Sequence, residues 1–159
     1  MTAAVQGKSF AEREVTITRL FDAPRALVFN AWIDPTQLAR WWGPKGFTNP
    51  VCEIDPRVGG KLRIHMRGPD GTTHRLEGVV RDIVAPERLV IANSVDVAGR
   101  RLLEGLFTVT FAERDGKTTM TLHARAAALA EEALLWLDGM NEGWGQSIER
   151  LEAFVARAV

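Results

Sequence analysis

With 159 residues, 46% of them hydrophobic and 25% charged, the chain has the size and composition of one soluble domain. Its 20 basic and 20 acidic residues balance without a long run of one sign, which argues against nucleic-acid binding and an acidic partner. The apolar runs are too short to cross a membrane, and residues 1–10 lack the apolar core of a signal peptide. The single cysteine excludes an intramolecular disulfide, so the cytoplasm is the expected compartment.

The N-terminal third predicts a tail, a strand and two short helices. Residues 1–11 lack periodicity and are expected to form a flexible tail ahead of a single domain at residues 12–159. Residues 13–21 alternate in polarity and are rich in β-branched side chains, which predicts a strand. A helix then begins near Pro24 and ends near Asp34, and a second short helix covers residues 35–42.

The middle of the chain predicts six further strands. Short apolar alternations recur between turns rich in glycine, proline and aspartate, at residues 50–55, 61–67, 73–84, 89–97, 102–113 and 118–125. The connections are too short for crossover helices. We therefore expect an antiparallel meander rather than βαβ units.

The C-terminal stretch, residues 130–159, predicts one long amphipathic helix. Its apolar side chains recur every three or four residues, at Leu137, Met140, Trp144, Ile148, Leu151, Val155 and Ala158. Polar residues between them, Arg150 included, are expected to face water. Asp138-Gly139 is a possible interruption, so the start of the helix is left open between residues 130 and 138. The chain is thus an α+β domain in which a curved sheet wraps around a long C-terminal helix.

Titratable side chains give little support for catalysis or metal binding. None of His65, His74 and His123 has a partner at metal-ligand spacing, and the strand pattern places all three toward solvent. Cys52 is interpreted as a small packing residue. Arg19 shares the phase of apolar neighbours, so it either reaches solvent at a strand end or places a cation in the interior. No catalytic residue, metal or cofactor is predicted.

Large apolar side chains are the better candidates for a site. On the closing helix they recur at intervals of four, and others point inward from the sheet or follow the second helix. Tryptophan and methionine make adaptable walls for an apolar ligand, although such residues also simply fill cores. The candidate cavity residues are Trp41, Trp42, Phe47, Ile64, Met66, Phe107, Trp136, Met140 and Trp144.

Trp41 and Trp42 are adjacent, and successive helical side chains point about 100° apart. We therefore expect one indole in the core and the other at a loop or ligand entrance.

Three glycines near the start of the closing helix favour a hollow interior over a filled one. Gly139, Gly143 and Gly145 each cost about 1 kcal/mol of helix propensity relative to alanine. Such residues remove side chains where another group approaches closely. That group is either the backbone of a strand or a ligand.

A series of short sequence motifs, spread in order over residues 13–157, resembles the pattern of a known family. They are Phe21-Asp-Ala-Pro24, Val28-Phe-Asn-Ala-Trp32, Asp34-Pro35, Trp41-Trp-Gly-Pro44, Gly46-Phe-Thr48, Asp55 with Gly59-Gly60, Gly78-Val-Val80, Pro86-Glu-Arg-Leu89, and Gly143-Trp144 with Leu151. With this element order, the chain resembles the START-like superfamily, also called SRPBCC or helix-grip (birch-pollen-allergen-like). Within it, the chain is similar to homologues of the activator of the heat-shock protein 90 ATPase.

The resemblance implies a helix-grip fold with the order β-α-α-β6-α, in which a seven-stranded antiparallel sheet grips the C-terminal helix. It also implies an apolar cavity between sheet and helix, so the expected partner is a small hydrophobic molecule, bound by a monomer or homodimer, with no catalysis assumed. Two alternatives stay open. One is a cyclase- or hydrolase-type enzyme using the same cavity. The other is a chaperone-associated, stress-response module with Trp41 or Trp42 as its exposed anchor.

Overall fold

A computed structural model describes residues 11–158. The predicted tail, residues 1–11, lies outside this range apart from Ala11, which begins the first strand. The helices and strands follow in the order β1 (Ala11–Phe21), α1 (Arg25–Ile33), α2 (Pro35–Trp41), β2 (Thr48–Ile54), β3 (Lys61–Arg67), β4 (Thr73–Val84), β5 (Arg88–Val97), β6 (Arg100–Arg114), β7 (Lys117–Ala128), α3 (Leu134–Asp138) and α4 (Met140–Ala158). The predicted fold class and element order are confirmed.

The seven strands form one antiparallel sheet in the order β1-β7-β6-β5-β4-β3-β2. Consecutive strands from β2 to β7 are neighbours, as expected of a meander. The first strand pairs with the last, with Ile17 opposite Leu122. Helices α1 and α2 therefore carry the chain from one edge of the sheet to the other, which places them beside the C-terminal helix.

The core lies between the concave face of the sheet and the helices. Because side chains alternate along a strand, every second residue of β3 to β7 faces the helices. The buried members of this face include Leu62, Ile64, Ile91, Phe107, Met120 and Leu122. From the other side, Ile148, Leu151 and Val155 of α4 are buried against them. This half of the closing helix is ordinary packed core.

The C-terminal segment is not one continuous helix. A 3-10 turn (Glu131–Ala133) precedes α3, which ends at Gly139 before α4 begins. Gly139 leaves helical geometry, with φ −92° and ψ 5°. The break falls at the predicted Asp138-Gly139 position. No helix within residues 11–158 is long and apolar enough to cross a membrane.

The expectation that only one of Trp41 and Trp42 enters the core is wrong. Trp41 is 0% exposed and Trp42 is 5% exposed. Trp42 follows the last helical residue and has an extended backbone, with φ −61° and ψ 138°. Its φ is still helical, so the two neighbouring side chains point in different directions, and both directions are covered. Trp41 packs on Trp32 of α1, and Trp42 packs on Phe107 of the sheet and Trp144 of α4, with the two indole centroids 5.7 Å apart.

Candidate functional site

A cavity of about 470 Å³ lies between the concave face of the sheet and the region around α3 and the start of α4. Strands β3 to β7 form its floor, and the loop after α2 forms one side. Its mouth is marked by exposed lining residues, Leu135 (79% exposed), Gly139 and Glu142. The volume falls in the range of small-molecule pockets, roughly 300–1,000 Å³.

Seven of the nine predicted site residues line this cavity. They are Trp42, Phe47, Met66, Phe107, Trp136, Met140 and Trp144. The other two, Trp41 and Ile64, do not line it, because both are fully buried in the core. Trp41 also donates its indole N–H to the carbonyl of Ala31 at 2.9 Å, which ties α2 to α1.

Three of the lining rings form a continuous aromatic wall. Trp42, Phe107 and Trp144 come from the α2 loop, β6 and α4, and their ring centroids lie 5.4–5.8 Å apart. Behind them lies Trp32, whose centroid is 4.7 Å from that of Trp41. Edge and tilted contacts at these distances are favourable for aromatic pairs. The wall is therefore held by the core rather than by a ligand.

His74 lines the cavity, and the expectation that it faces solvent is wrong. Its ring lies 5.7 Å from Phe47 and 5.2 Å from Trp136, and its Nδ1 is buried without a hydrogen-bond partner in the described part of the chain. Burial lowers the pKa of His74, although the carboxylate of Asp70 acts in the opposite direction. The imidazole is therefore neutral at pH 7.

Asn93 also lines the cavity, and sequence reasoning missed it. It shares the concave phase of β5 and pairs with Gly78 on one side and Gly105 on the other. A Cβ on either glycine would lie 2.6–2.7 Å from a backbone carbonyl oxygen, so neither position admits a side chain. Asn93 thus projects between two bare positions. Two glycines inside alternating strands were the available signal.

Arg150 holds the loop that forms one side of the cavity. Its Nη1 donates to the carbonyls of Trp42, Gly43 and Pro44 at 2.9–3.1 Å, and its Nη2 lies 3.4 Å from the carbonyl of Arg40. Burial lowers the pKa of Arg150, but a guanidinium remains charged at neutral pH. The expectation that Arg150 faces water is wrong, because its guanidinium contacts these carbonyls instead. The sequence pattern did not reveal this contact, since the carbonyls lie more than a hundred residues earlier in the chain.

The remaining candidates lie away from the cavity. Arg19 does not place a cation in it, because its Nε lies 3.7 Å from Glu152 of α4. His123 is exposed on the outer face, where its Nε2 lies 2.7 Å from Glu14. His65 pairs with Arg75 in the register of β3 and β4, so it does not meet His74 across the hairpin.

Cys52 is half-buried, and its thiol is predicted to react slowly. Burial, followed by the charge of Glu53, raises its pKa from 9.0 to about 11. Since the thiolate is the reactive form, iodoacetamide at pH 8 should alkylate the folded protein about 100-fold more slowly than the urea-unfolded chain. Mass spectrometry over time measures both rates, and equal rates would contradict the raised pKa.

The family model of the Activator of Hsp90 ATPase homolog 1-like protein matches residues 22–156. The chain belongs to this family. The match covers α1, α2, strands β2 to β7, α3 and nearly all of α4, so every residue that lines the cavity lies within the matched range. A comparison with curated proteins finds no significant match.

Solved structures of bacterial proteins share the helix-grip fold. A putative uncharacterized protein from Rhizobium leguminosarum is 26% identical, with a TM-score of 0.78 over 92% of this chain and 96% of that one. A protein from Arthrobacter aurescens is 32% identical, with a TM-score of 0.76 over 89% of this chain and 85% of that one. These relatives span the same unit of structure.

The name of the family refers to activation of a chaperone ATPase. The chaperone-associated alternative required Trp41 or Trp42 as an exposed anchor, and both side chains are buried. An interaction of that kind would have to use another surface of the protein.

Proposed function

We propose that this protein binds a small hydrophobic molecule in the cavity between the sheet and the C-terminal helical region. The observation that carries the proposal is the 470 Å³ volume, together with walls made of aromatic and methionine side chains. Burial of apolar ligand surface contributes about 25 cal/mol per Å² of favourable free energy to binding. A ligand that fills this space would therefore be held mainly by the hydrophobic effect.

Two glycines, one at the junction of α3 and α4 and one within α4, support a hollow site. Gly139 and Gly143 line the cavity, and no strand backbone approaches either of them. A Cβ on Gly143 would meet only the Pro44 ring, at an ordinary 3.7 Å. Packing against the protein therefore does not require glycine at position 143. The missing side chain instead enlarges the cavity, at a cost of about 1 kcal/mol in helix propensity.

Filling the cavity from α4 tests the proposal. Gly143→Leu places an isobutyl group at the cavity wall, whereas Gly145→Leu adds the same group to the same helix, where a Cβ would meet nothing within 4 Å. The probe is N-phenyl-1-naphthylamine, which is neutral and fluoresces in apolar surroundings. We expect Gly143→Leu to weaken probe binding at least about tenfold, which corresponds to about 1.4 kcal/mol, and Gly145→Leu to leave it unchanged.

Intrinsic fluorescence gives an independent readout. The chain has five tryptophans and no tyrosine, and Trp42, Trp136 and Trp144 line the cavity. Probe binding should therefore quench tryptophan emission through energy transfer. Thermal unfolding shows whether each variant is folded. The proposal fails if the wild-type protein binds no apolar probe, or if a folded Gly143→Leu variant binds it as tightly as Gly145→Leu does.

A further inference from the structure

The titratable groups around the cavity show which ligand charge it accepts. Three titratable residues belong to its lining, namely His74, Arg125 and Glu142. Glu142 is exposed at the mouth, where its side chain accepts a hydrogen bond from Gln146 at 3.3 Å. His74 is held neutral by burial, as described above. Neither the carboxylate of Glu142 nor the neutral ring of His74 can pair with an anionic ligand. Arg125 is therefore the one described lining residue whose charge could do so.

Arg125 does not offer its guanidinium to the cavity. It lies between Ala124 and Ala126, which are buried on the concave face, so its side chain points to the convex face. Its register partners there are Glu14 and Leu106. Its backbone approaches the cavity beside Gly105, where the Arg125 carbonyl would be 2.6 Å from a Cβ.

Arg150 is likewise committed elsewhere. Its guanidinium does not belong to the lining, and three carbonyls of the α2 loop lie within 3.1 Å of its Nη1. An anion in the cavity would therefore find no cationic side chain to pair with among the described lining residues, and the carboxylate of Glu142 at the mouth would oppose its entry. Burying an unpaired carboxylate or sulfonate is strongly unfavourable.

Neutral polar groups are nevertheless present on opposite walls. Asn93 projects from the sheet floor between Gly78 and Gly105, and Ser147 lies on α4, where it is buried. Both belong to the lining. The Asn93 amide can donate and accept hydrogen bonds, and so can the Ser147 hydroxyl. A ligand hydroxyl, which also does both, is the group that suits them.

We propose that the cavity selects an uncharged amphipathic molecule, an alcohol or phenol, whose hydroxyl group meets Asn93, and that it excludes anions of the same shape. This inference rests on the proposed function and specifies the ligand class for the same cavity.

A matched pair of probes tests the charge selection. N-phenyl-1-naphthylamine and 1-anilinonaphthalene-8-sulfonate share one skeleton and differ by the sulfonate. At pH 7.5 the neutral probe should bind at least about tenfold more tightly, because the anion finds no cation in the cavity. Equal or tighter binding of the sulfonate, lost in Gly143→Leu, would overturn the charge selection while leaving the proposed function intact. Failure of both probes would overturn the proposed function itself.

The role of Asn93 is tested by a second pair, 1-naphthol and naphthalene, with 1-octanol as the aliphatic alcohol. Asn93→Leu keeps the side-chain size and removes the amide. It should weaken naphthol binding by about tenfold and leave naphthalene binding within about twofold, because only naphthol loses a hydrogen bond. An equal effect on both ligands would refute the hydroxyl contact. Displacement of bound N-phenyl-1-naphthylamine by 1-octanol but not by 1-naphthol would assign the site to aliphatic alcohols. Displacement by 1-naphthol but not by 1-octanol would assign it to phenols.

Discussion

Replacing Trp32 with alanine is expected to lower the free energy of unfolding by about 3–5 kcal/mol, the usual cost of removing a buried tryptophan. Trp32 is 1% exposed, and its ring contacts those of Trp41, Trp42 and Trp144 at centroid distances of 4.7, 6.3 and 6.5 Å. These rings come from α2, the following loop and α4. One deletion therefore leaves a void where three segments meet, behind the cavity wall. Urea unfolding followed by far-UV circular dichroism measures the loss.

Trp32→Phe is the matched control for this prediction. The Trp32 indole Nε1 is buried without a hydrogen-bond partner in the described part of the chain, so phenylalanine removes an unsatisfied donor while keeping an aromatic ring. We expect the Phe variant to retain most of the stability that the Ala variant loses. Equal losses in the two variants would show that ring packing does not dominate at this position.

Replacing Arg150 with methionine is expected to cost about 2–3 kcal/mol of stability and to weaken binding of the neutral probe. Methionine keeps the aliphatic stem but leaves the carbonyls of Trp42, Gly43 and Pro44 without their donor. Hydrogen bonds from a charged donor are each worth about 1.5–3 kcal/mol, and partial exposure together with replacement by water reduces their sum. Because Trp42 and Pro44 line the cavity, the loosened loop should also disturb the site.

Two further variants separate geometry from charge at this position. Arg150→Lys keeps the positive charge, but the lysine side chain ends one atom short of the Nη1 position that contacts the three carbonyls, so it should recover less than half of the loss. Arg157→Met removes an exposed charge in the last turn of α4 and should change stability by less than about 0.5 kcal/mol. The loop-anchoring role is refuted if Arg150→Met and Arg157→Met have the same stability and the same probe affinity.

Local patterns in the sequence were sufficient to predict the elements of this fold. Alternation in the strands, Pro35 at the start of α2 and the three-to-four spacing of Ile148, Leu151 and Val155 depend on neighbours in the chain. These patterns depend only on chain neighbours because helix and strand periodicity are properties of the local backbone. Five of the seven predicted cavity-lining side chains follow from the same periodicity, since large apolar residues on the inner faces of sheet and helix must meet in the interior: Met66, Phe107, Trp136, Met140 and Trp144.

The tertiary structure alone decided which of those residues face a cavity and which polar groups join them. Trp41 and Trp42 are both buried because α1 covers one indole while the sheet and α4 cover the other, which no periodicity reveals. Arg150 binds carbonyls more than a hundred residues earlier, and Asn93 is left uncovered by glycines on two neighbouring strands. Such contacts depend on the register and curvature of the whole sheet. The sequence by itself therefore determined a helix-grip domain with an apolar interior, and only the packed structure determined that a cavity lies between the sheet and the helices and which side chains line it.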